Sequence, residues 1–179
     1  MRIISGLYKS RKIIAPKNLP VRPTTDMAKE SLFNILNNLF YFDAISVLDL
    51  FAGTGNISYE FASRGTQQIT SVDQDFGCIK FINQTAEKYN MPITTIKSDV
   101  FLFLEKCTQQ AHVVFADPPY HFTEAQFAKI PELVFQNTLL LEDGLLIIEH
   151  SKHTNLSDLK GFSYSKTYGG NMFSFFEAH

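Results

Sequence analysis

The chain has 179 residues, of which 45% are apolar and 19% charged, and its formal charge is −2 at pH 7. That length suits a single domain with a full hydrophobic core, and the composition excludes collagenous, disordered and disulfide-stapled chains. No apolar run reaches the roughly 18 residues of a membrane span and no signal-peptide pattern follows Met1, so a cytoplasmic protein with no membrane partner is expected.

Charge is unevenly placed along the chain. Residues 1–29 hold seven basic side chains (Arg2, Lys9, Arg11, Lys12, Lys17, Arg22, Lys29) against one acid, Asp26, whereas the rest is acidic. The asymmetry predicts a basic arm over residues 1–23 on a body over residues 24–179, and nucleic acid as the partner. Arg2–Ser5 and Arg11–Ala15 read as short strands of a β-hairpin with Gly6–Ser10 as its loop. Pro16, Pro20 and Pro23 then hold the chain extended. Thr24, Thr25 and Asp26 offer N-caps for a helix over Met27–Phe40, whose Ala28, Leu32, Ile35, Leu36 and Leu39 share one face. Those three polar residues exceed what a helix start requires.

Val47–Phe51 has the doubly apolar character of a strand inside a parallel sheet. It runs into a turn punctuated by Gly53 and Gly55 and then into a helix over Ile57–Arg64, closed by Gly65. Asp49 lies within this apolar strand, where an unpaired carboxylate is costly. Ser58 stands where a dinucleotide fingerprint has its third glycine, so the turn suits a nucleoside without a pyrophosphate. Gln68–Val72 is the next strand and ends at Asp73, placed to accept from ribose hydroxyls, while Asp75 fits the cap of a helix over Phe76–Tyr89. Ile93–Ile96 is a third strand. Asp99 follows it, either as a ligand of the same crevice or as the cap of a helix over Val100–Cys107.

His112–Ala116 is a fourth strand, running directly into Asp117-Pro118-Pro119-Tyr120. Two prolines stop the ladder there and stiffen the exit. A helix over Glu124–Phe135 follows, in which Pro131 is expected to make a break or kink. Gly144–Glu149 is a fifth strand, and Phe162–Thr167 and Met172–Glu177 form a hairpin about Gly169-Gly170-Asn171. The two cysteines, Cys78 and Cys107, read as reduced thiols, and the scattered histidines suggest no metal.

Alternating strands and helices followed by a hairpin predict an α/β three-layer architecture whose first five strands are parallel. The ligand then belongs outside their carboxyl ends, where Gly53, Asp73, Asp99 and Asp117 converge. A rigid turn with a carboxylate, exposed carbonyls and an aromatic ring suits a planar base bearing an amino group. Tyr120 offers a stacking face, and Asp117 and the Pro118 carbonyl accept from the exocyclic amine. Its lone pair is delocalised, so alignment with an electrophilic methyl group and stabilisation of the charge growing on nitrogen are most of the catalysis.

Phe51-Ala52-Gly53-x-Gly55 together with Asp117-Pro118-Pro119-Tyr120 resembles the amino-group S-adenosylmethionine-dependent methyltransferases. Arg2-Ile3-Ile4-Ser5-Gly6, Arg11-Lys12, Arg22-Pro23-Thr24-Thr25-Asp26 and Glu30-Ser31-Leu32-Phe33-Asn34 resemble the RsmD family, over almost the whole chain and in the family's motif order. That resemblance implies a Rossmann-like fold with a seven-stranded sheet of order 3-2-1-4-5-7-6. It implies methylation of a guanine amino group in small-subunit ribosomal RNA, free or in the assembling subunit, by a monomer. Arg22, Thr24, Thr25 and Asp26, with Asp49, Phe51, Ala52, Gly53, Thr54 and Gly55, would hold the methionine end of the cofactor. Asp73 would take its ribose, with Gln74 beside it, and Asp99 with Val100 its adenine. Asp117, Pro118, Pro119 and Tyr120 would be catalytic, and Arg2, Lys9, Arg11 and Lys12 would contact RNA. Two departures stand out: Met27 where the family commonly has a basic residue, and Asn56 where it has a small one. An amino-group DNA methyltransferase and a non-catalytic RNA-binding assembly factor are the alternative readings.

Overall fold

A computed structural model describes residues 1–21 and 24–178. Its centre is β1 (Ser46–Leu50), every residue of which is buried. Leu48 and Leu50 face one hydrophobic cluster and Val47 the other, the alternation that a strand buried on both faces demands. Around it are β2 (Gln68–Asp73), β3 (Ile93–Lys97), β4 (Ala111–Ala116), β5 (Leu140–Ser151), β6 (Phe162–Tyr168) and β7 (Asn171–Glu177). The sheet has the order β3-β2-β1-β4-β5-β7-β6, with the first five strands parallel and β7 antiparallel to both β5 and β6. Helices α1 (Asp26–Asn37), α2 (Asn56–Ser63) and α3 (Phe76–Tyr89) pack on one face, and α4 (Val100–Lys106) and α5 (Glu124–Gln136) on the other. This is the three-layer architecture and strand order expected.

Several element boundaries differ from the expectation for identifiable reasons. Helix α1 begins at Asp26 because Thr25 is its cap, Oγ1 accepting from the Ala28 N–H at 3.2 Å. Strand β1 stops at Leu50, since Phe51 adopts φ 57°, outside the extended region. Pro131 does not break α5: the helix runs through it, and burial of Phe127, Ile130, Leu133 and Val134 offsets the missing N–H donor. Strand β5 starts four residues before Gly144, with a register shift against β4 between Ala111 and Val113. Asn171 belongs to β7 rather than to the turn, which leaves Gly169-Gly170 as a two-residue connection opposite the Tyr168–Asn171 pair.

The N-terminal arm is not a ladder of two strands. It shows one antiparallel bridge, Arg2 to Lys12, flanked by the Ile3 N–H donating to the Arg11 carbonyl at 2.9 Å and the Ile13 N–H to the Met1 carbonyl at 3.0 Å, and beyond Ile3 its backbone turns to α2. The Ile4 and Ser5 N–H groups donate to the Glu60 carboxylate at 2.9 and 3.0 Å, and the Leu7 N–H donates to the Ser63 carbonyl at 2.7 Å. Gly6 is required there, since a Cβ would lie 1.8 Å from that carbonyl oxygen. Ile3 and Ile13 are buried in the same cluster as α1 and α2, so the arm is part of the packed structure. Among the described residues no helix is long and apolar enough to cross a membrane.

Candidate functional site

A crevice of about 640 Å³ opens at the carboxyl ends of the parallel strands. Its walls include Thr24, Asp49, Phe51, Ala52, Gly53, Thr54, Asp73, Gln74, Asp99, Val100 and Asp117 to Tyr120. Each loop after β1, β2, β3 and β4 therefore contributes. Arg22 lies outside the described residues. Gly55 is buried behind the turn, where a Cβ would meet the Tyr59 ring at 2.7 Å, so only glycine fits at its φ of 83°. Thr25 and Asp26 are not brought into the crevice: the first caps α1, and the second faces Arg2 Nε at 3.4 Å.

The turn after β1 is tied to β2. The Ala52 N–H donates to the Val72 carbonyl at 3.0 Å, and the Gly53 N–H donates to Asp73 Oδ2 at 2.8 Å. Asp73 Oδ1 accepts from the Asp75 N–H at 2.8 Å, and Asp75 in turn caps α3 through the Cys78 N–H. Each Asp73 oxygen keeps a lone pair for a hydroxyl donor. Burial raises the Asp73 carboxyl, against the lowering effect of those N–H groups. Asp99 has both expected characters, since Oδ1 caps α4 through the Leu102 N–H at 3.0 Å and the residue lines the crevice.

Asp49 forms part of the crevice floor and is 1% exposed. Ser58 Oγ donates to its Oδ2 at 2.5 Å, and Ser58 contacts Ser71 Oγ at 2.7 Å. Ser58 thus serves the carboxylate with a side-chain donor that a glycine at this position would lack. Burial still pushes Asp49 up to about 7, with the Ser58 hydrogen bonds working the other way.

Asp117 continues from β4, its N–H donating to the Leu50 carbonyl at 3.4 Å. Tyr120 is 44% exposed and its hydroxyl donates to Asn171 Oδ1 at 3.1 Å. Phe101 and Phe122 also line the crevice, stacked at 5.8 Å, with Phe51 edge-on to Phe122 at 5.6 Å. The sequence reading missed both; the signal was an aromatic directly after Asp99-Val100 and another just beyond Asp117-Pro118-Pro119-Tyr120. Asn56, one of the two departures, accepts from Lys29 Nζ at 2.8 Å and donates to the Thr24 carbonyl at 3.2 Å. Met27, the other, points to solvent.

The basic residues of the arm divide into two groups. Arg2 and Lys12, with Lys17, line a cavity of about 680 Å³ that shares Val21 and Thr54 with the crevice. Arg11 instead lies over the Tyr8 and Tyr89 rings at 5.7 and 5.0 Å, at the carboxyl end of α3 and away from the crevice. Lys9 is exposed on the same turn.

A family model described as Conserved hypothetical protein 95 matches residues 1–177. The chain is 34% identical over 157 residues to a Haemophilus influenzae protein named ribosomal RNA small subunit methyltransferase D, covering 85% of this chain and 79% of the relative. It is 30% identical to the Escherichia coli protein of the same name, covering 87% and 77%. A T. thermophilus 16S rRNA N2 methyltransferase, solved with AdoMet and guanosine, superposes with a TM-score of 0.71 at 18% identity, covering 90% of this chain and 45% of that one.

Proposed function

The chain belongs to the RsmD family, and from that membership we propose that it methylates the exocyclic amino group of one guanine in small-subunit ribosomal RNA. Ribosomal RNA methylation is the activity its relatives carry in their names, and a fold neighbour was solved with AdoMet and guanosine. One observation supports an exocyclic amino group as the target: Asp117, Pro118 and Tyr120 border the same crevice as Gly53, Asp73 and Asp99, and the guanine rests on the family membership. The donor set fits the cofactor. A carboxylate with free lone pairs, Asp73, suits vicinal hydroxyls, and the Phe51 and Phe101 rings suit an adenine.

When bound, the cofactor supplies an electrophilic methyl group on a positively charged sulfur. Tyr120 and the Pro118-Pro119 turn would hold the base with its amine turned towards that methyl group. The Asp117 carboxylate would stabilise the positive charge that develops on the amine nitrogen as it gains the methyl group and the demethylated cofactor departs. The methylated ammonium is acidic and releases its proton to Asp117 or to solvent. Arg2 and Lys12 take backbone phosphates beside the crevice, while Lys9 and Arg11 reach only RNA that wraps to the far end of α3. Binding therefore weakens as salt rises.

The deciding assay offers methyl-labelled cofactor with stripped small-subunit RNA, assembled subunits from cells lacking the enzyme, and duplex DNA. Label recovered as amino-methylated guanosine is expected. Label confined to DNA replaces this reading with a DNA methyltransferase, and no label with cofactor binding intact replaces it with a non-catalytic RNA-binding factor.

Asp49 adds a pH dependence. Its folded carboxyl sits near 7, above the ordinary 3.8, so the fold favours its protonated form. The penalty for ionising it is absent well below pH 4 and fully present above pH 7, so the free protein loses stability as pH rises through that window. Asp49→Asn is expected to raise stability by on the order of 3 kcal/mol at pH 8 and by less than half as much at pH 5. The ionised form attracts the cationic cofactor, so affinity should be about tenfold weaker at pH 6 than at pH 8, and the asparagine should abolish that dependence. Calorimetric titration and melting curves across pH check both parts.

A further inference from the structure

We propose that Asn171 is a positioning residue for the methyl transfer, holding the Tyr120 ring in place by accepting a hydrogen bond from its phenol. Tyr120 lies in the turn after β4, outside any helix or strand. Its hydroxyl reaches across to the first residue of β7, donating to Asn171 Oδ1 at 3.1 Å. Asn171 Nδ2 donates to Glu149 Oε1 at 2.7 Å, and Glu149 Oε2 accepts from Thr24 Oγ1, also at 2.7 Å. The backbone register makes this reach possible: Asn171 pairs with Ser151 and Phe173 with Glu149, which sets Asn171 and Glu149 diagonally on one face of the sheet.

The direction of each bond follows from chemistry. Both oxygens of Glu149, 2% exposed, accept, one from Thr24 Oγ1 and one from Asn171 Nδ2, so the amide NH₂ of Asn171 is turned towards it. The amide oxygen then faces Tyr120, and the phenol must donate to it. Two consequences follow. The ring is held before a base arrives, so less side-chain freedom is lost on binding. The phenolic hydrogen is committed to Asn171, so the hydroxyl does not donate into the crevice. Through Glu149 the same chain fixes Thr24, so the hairpin tip and a crevice wall keep one geometry.

The inference rests on the methyl-transfer reading, so one readout is independent of turnover. In protein with ¹³C-labelled tyrosine, the Tyr120 Cζ signal is identified by its loss in Tyr120→Phe. It is expected to shift in Asn171→Ala, with the melting temperature preserved. In the assay above, Asn171→Ala should raise KM for RNA about five- to tenfold, the worth of one hydrogen bond, with cofactor affinity within about twofold of wild type. In a Tyr120→Phe background the same change should add less than about twofold, because the partner hydroxyl is already gone. Asn171→Asp alone sets two carboxylates together and should also fail. Combined with Glu149→Gln it restores a donor–acceptor pair and should recover both the Cζ signal and KM. An unmoved Cζ signal, multiplicative effects with Tyr120→Phe, or no rescue by the swapped pair would overturn the role. A Cζ signal that responds in an enzyme unable to methylate any RNA overturns the functional reading and leaves the hydrogen-bond chain standing.

Discussion

Asp117→Ala should lower the single-turnover rate of methyl transfer by about 10²–10³, with S-adenosylmethionine bound within about threefold of wild-type affinity. The carboxylate lies where β4 ends, and its position is set by β1, because the Asp117 N–H reaches the Leu50 carbonyl. It lines the same crevice as Asp73, and on the proposed function it adjoins the target amine while Asp73 takes the ribose end. Its interaction therefore strengthens as positive charge builds on nitrogen, which is why the loss falls on the rate and spares cofactor binding. Asp117→Asn keeps the acceptor oxygen and drops the charge, so an intermediate rate is expected. Rapid-quench kinetics with calorimetry separates the two quantities, and an unchanged rate in Asp117→Ala would remove this residue from the mechanism.

The largest stability effect is expected far from the methyl transfer, at Glu60. This side chain is fully buried, receives the Ile4 and Ser5 N–H groups, and pairs with Lys29 Nζ at 3.3 Å and Arg64 Nε at 2.9 Å. Lys29 is 1% exposed, and burial pushes its ammonium below its ordinary range while Glu60 works to hold it charged. Glu60→Ala strands that cation and two backbone donors, so a loss of about 3–5 kcal/mol is expected in urea unfolding. Faster proteolysis between Ser5 and Arg11 should accompany it, since Glu60 is the arm's main anchor. Lys29→Met combined with Glu60→Leu removes both charges together and should recover part of the loss. A Glu60→Ala protein as stable as wild type would contradict the whole account of the arm.

Much of this is legible in the sequence because it depends on near neighbours. The apolar run from Val47, the two glycines and the acid closing the next strand are local patterns, and they place Gly53, Asp73, Asp99 and Asp117 on one edge of the sheet. The arm is legible only in part. Ile3 and Ile13 pair across it with Arg11 and Met1, but the carboxylate on α2 that takes the Ile4 and Ser5 N–H groups lies over fifty positions away. Asn171 reads as turn chemistry beside two glycines, and nothing nearby in the chain reveals that it meets Tyr120 and Glu149. Pro131 shows the limit of a local rule, since a buried helix face outweighs one missing donor.

The place of β7 has a consequence for biosynthesis. The strand lies between β5 and β6 although it follows both in the chain. A chain leaving the ribosome can assemble its first five strands in order, yet it carries an open β5 edge until residues 171–177 emerge. The same residues bring the asparagine that holds Tyr120, so a nascent chain can have its cofactor turn folded while the target side of the crevice is still loose. The open edge and the loose site are then closed by the same residues, and a chain stalled before residue 171 would present both an unsatisfied strand edge for chaperones and an unfinished site.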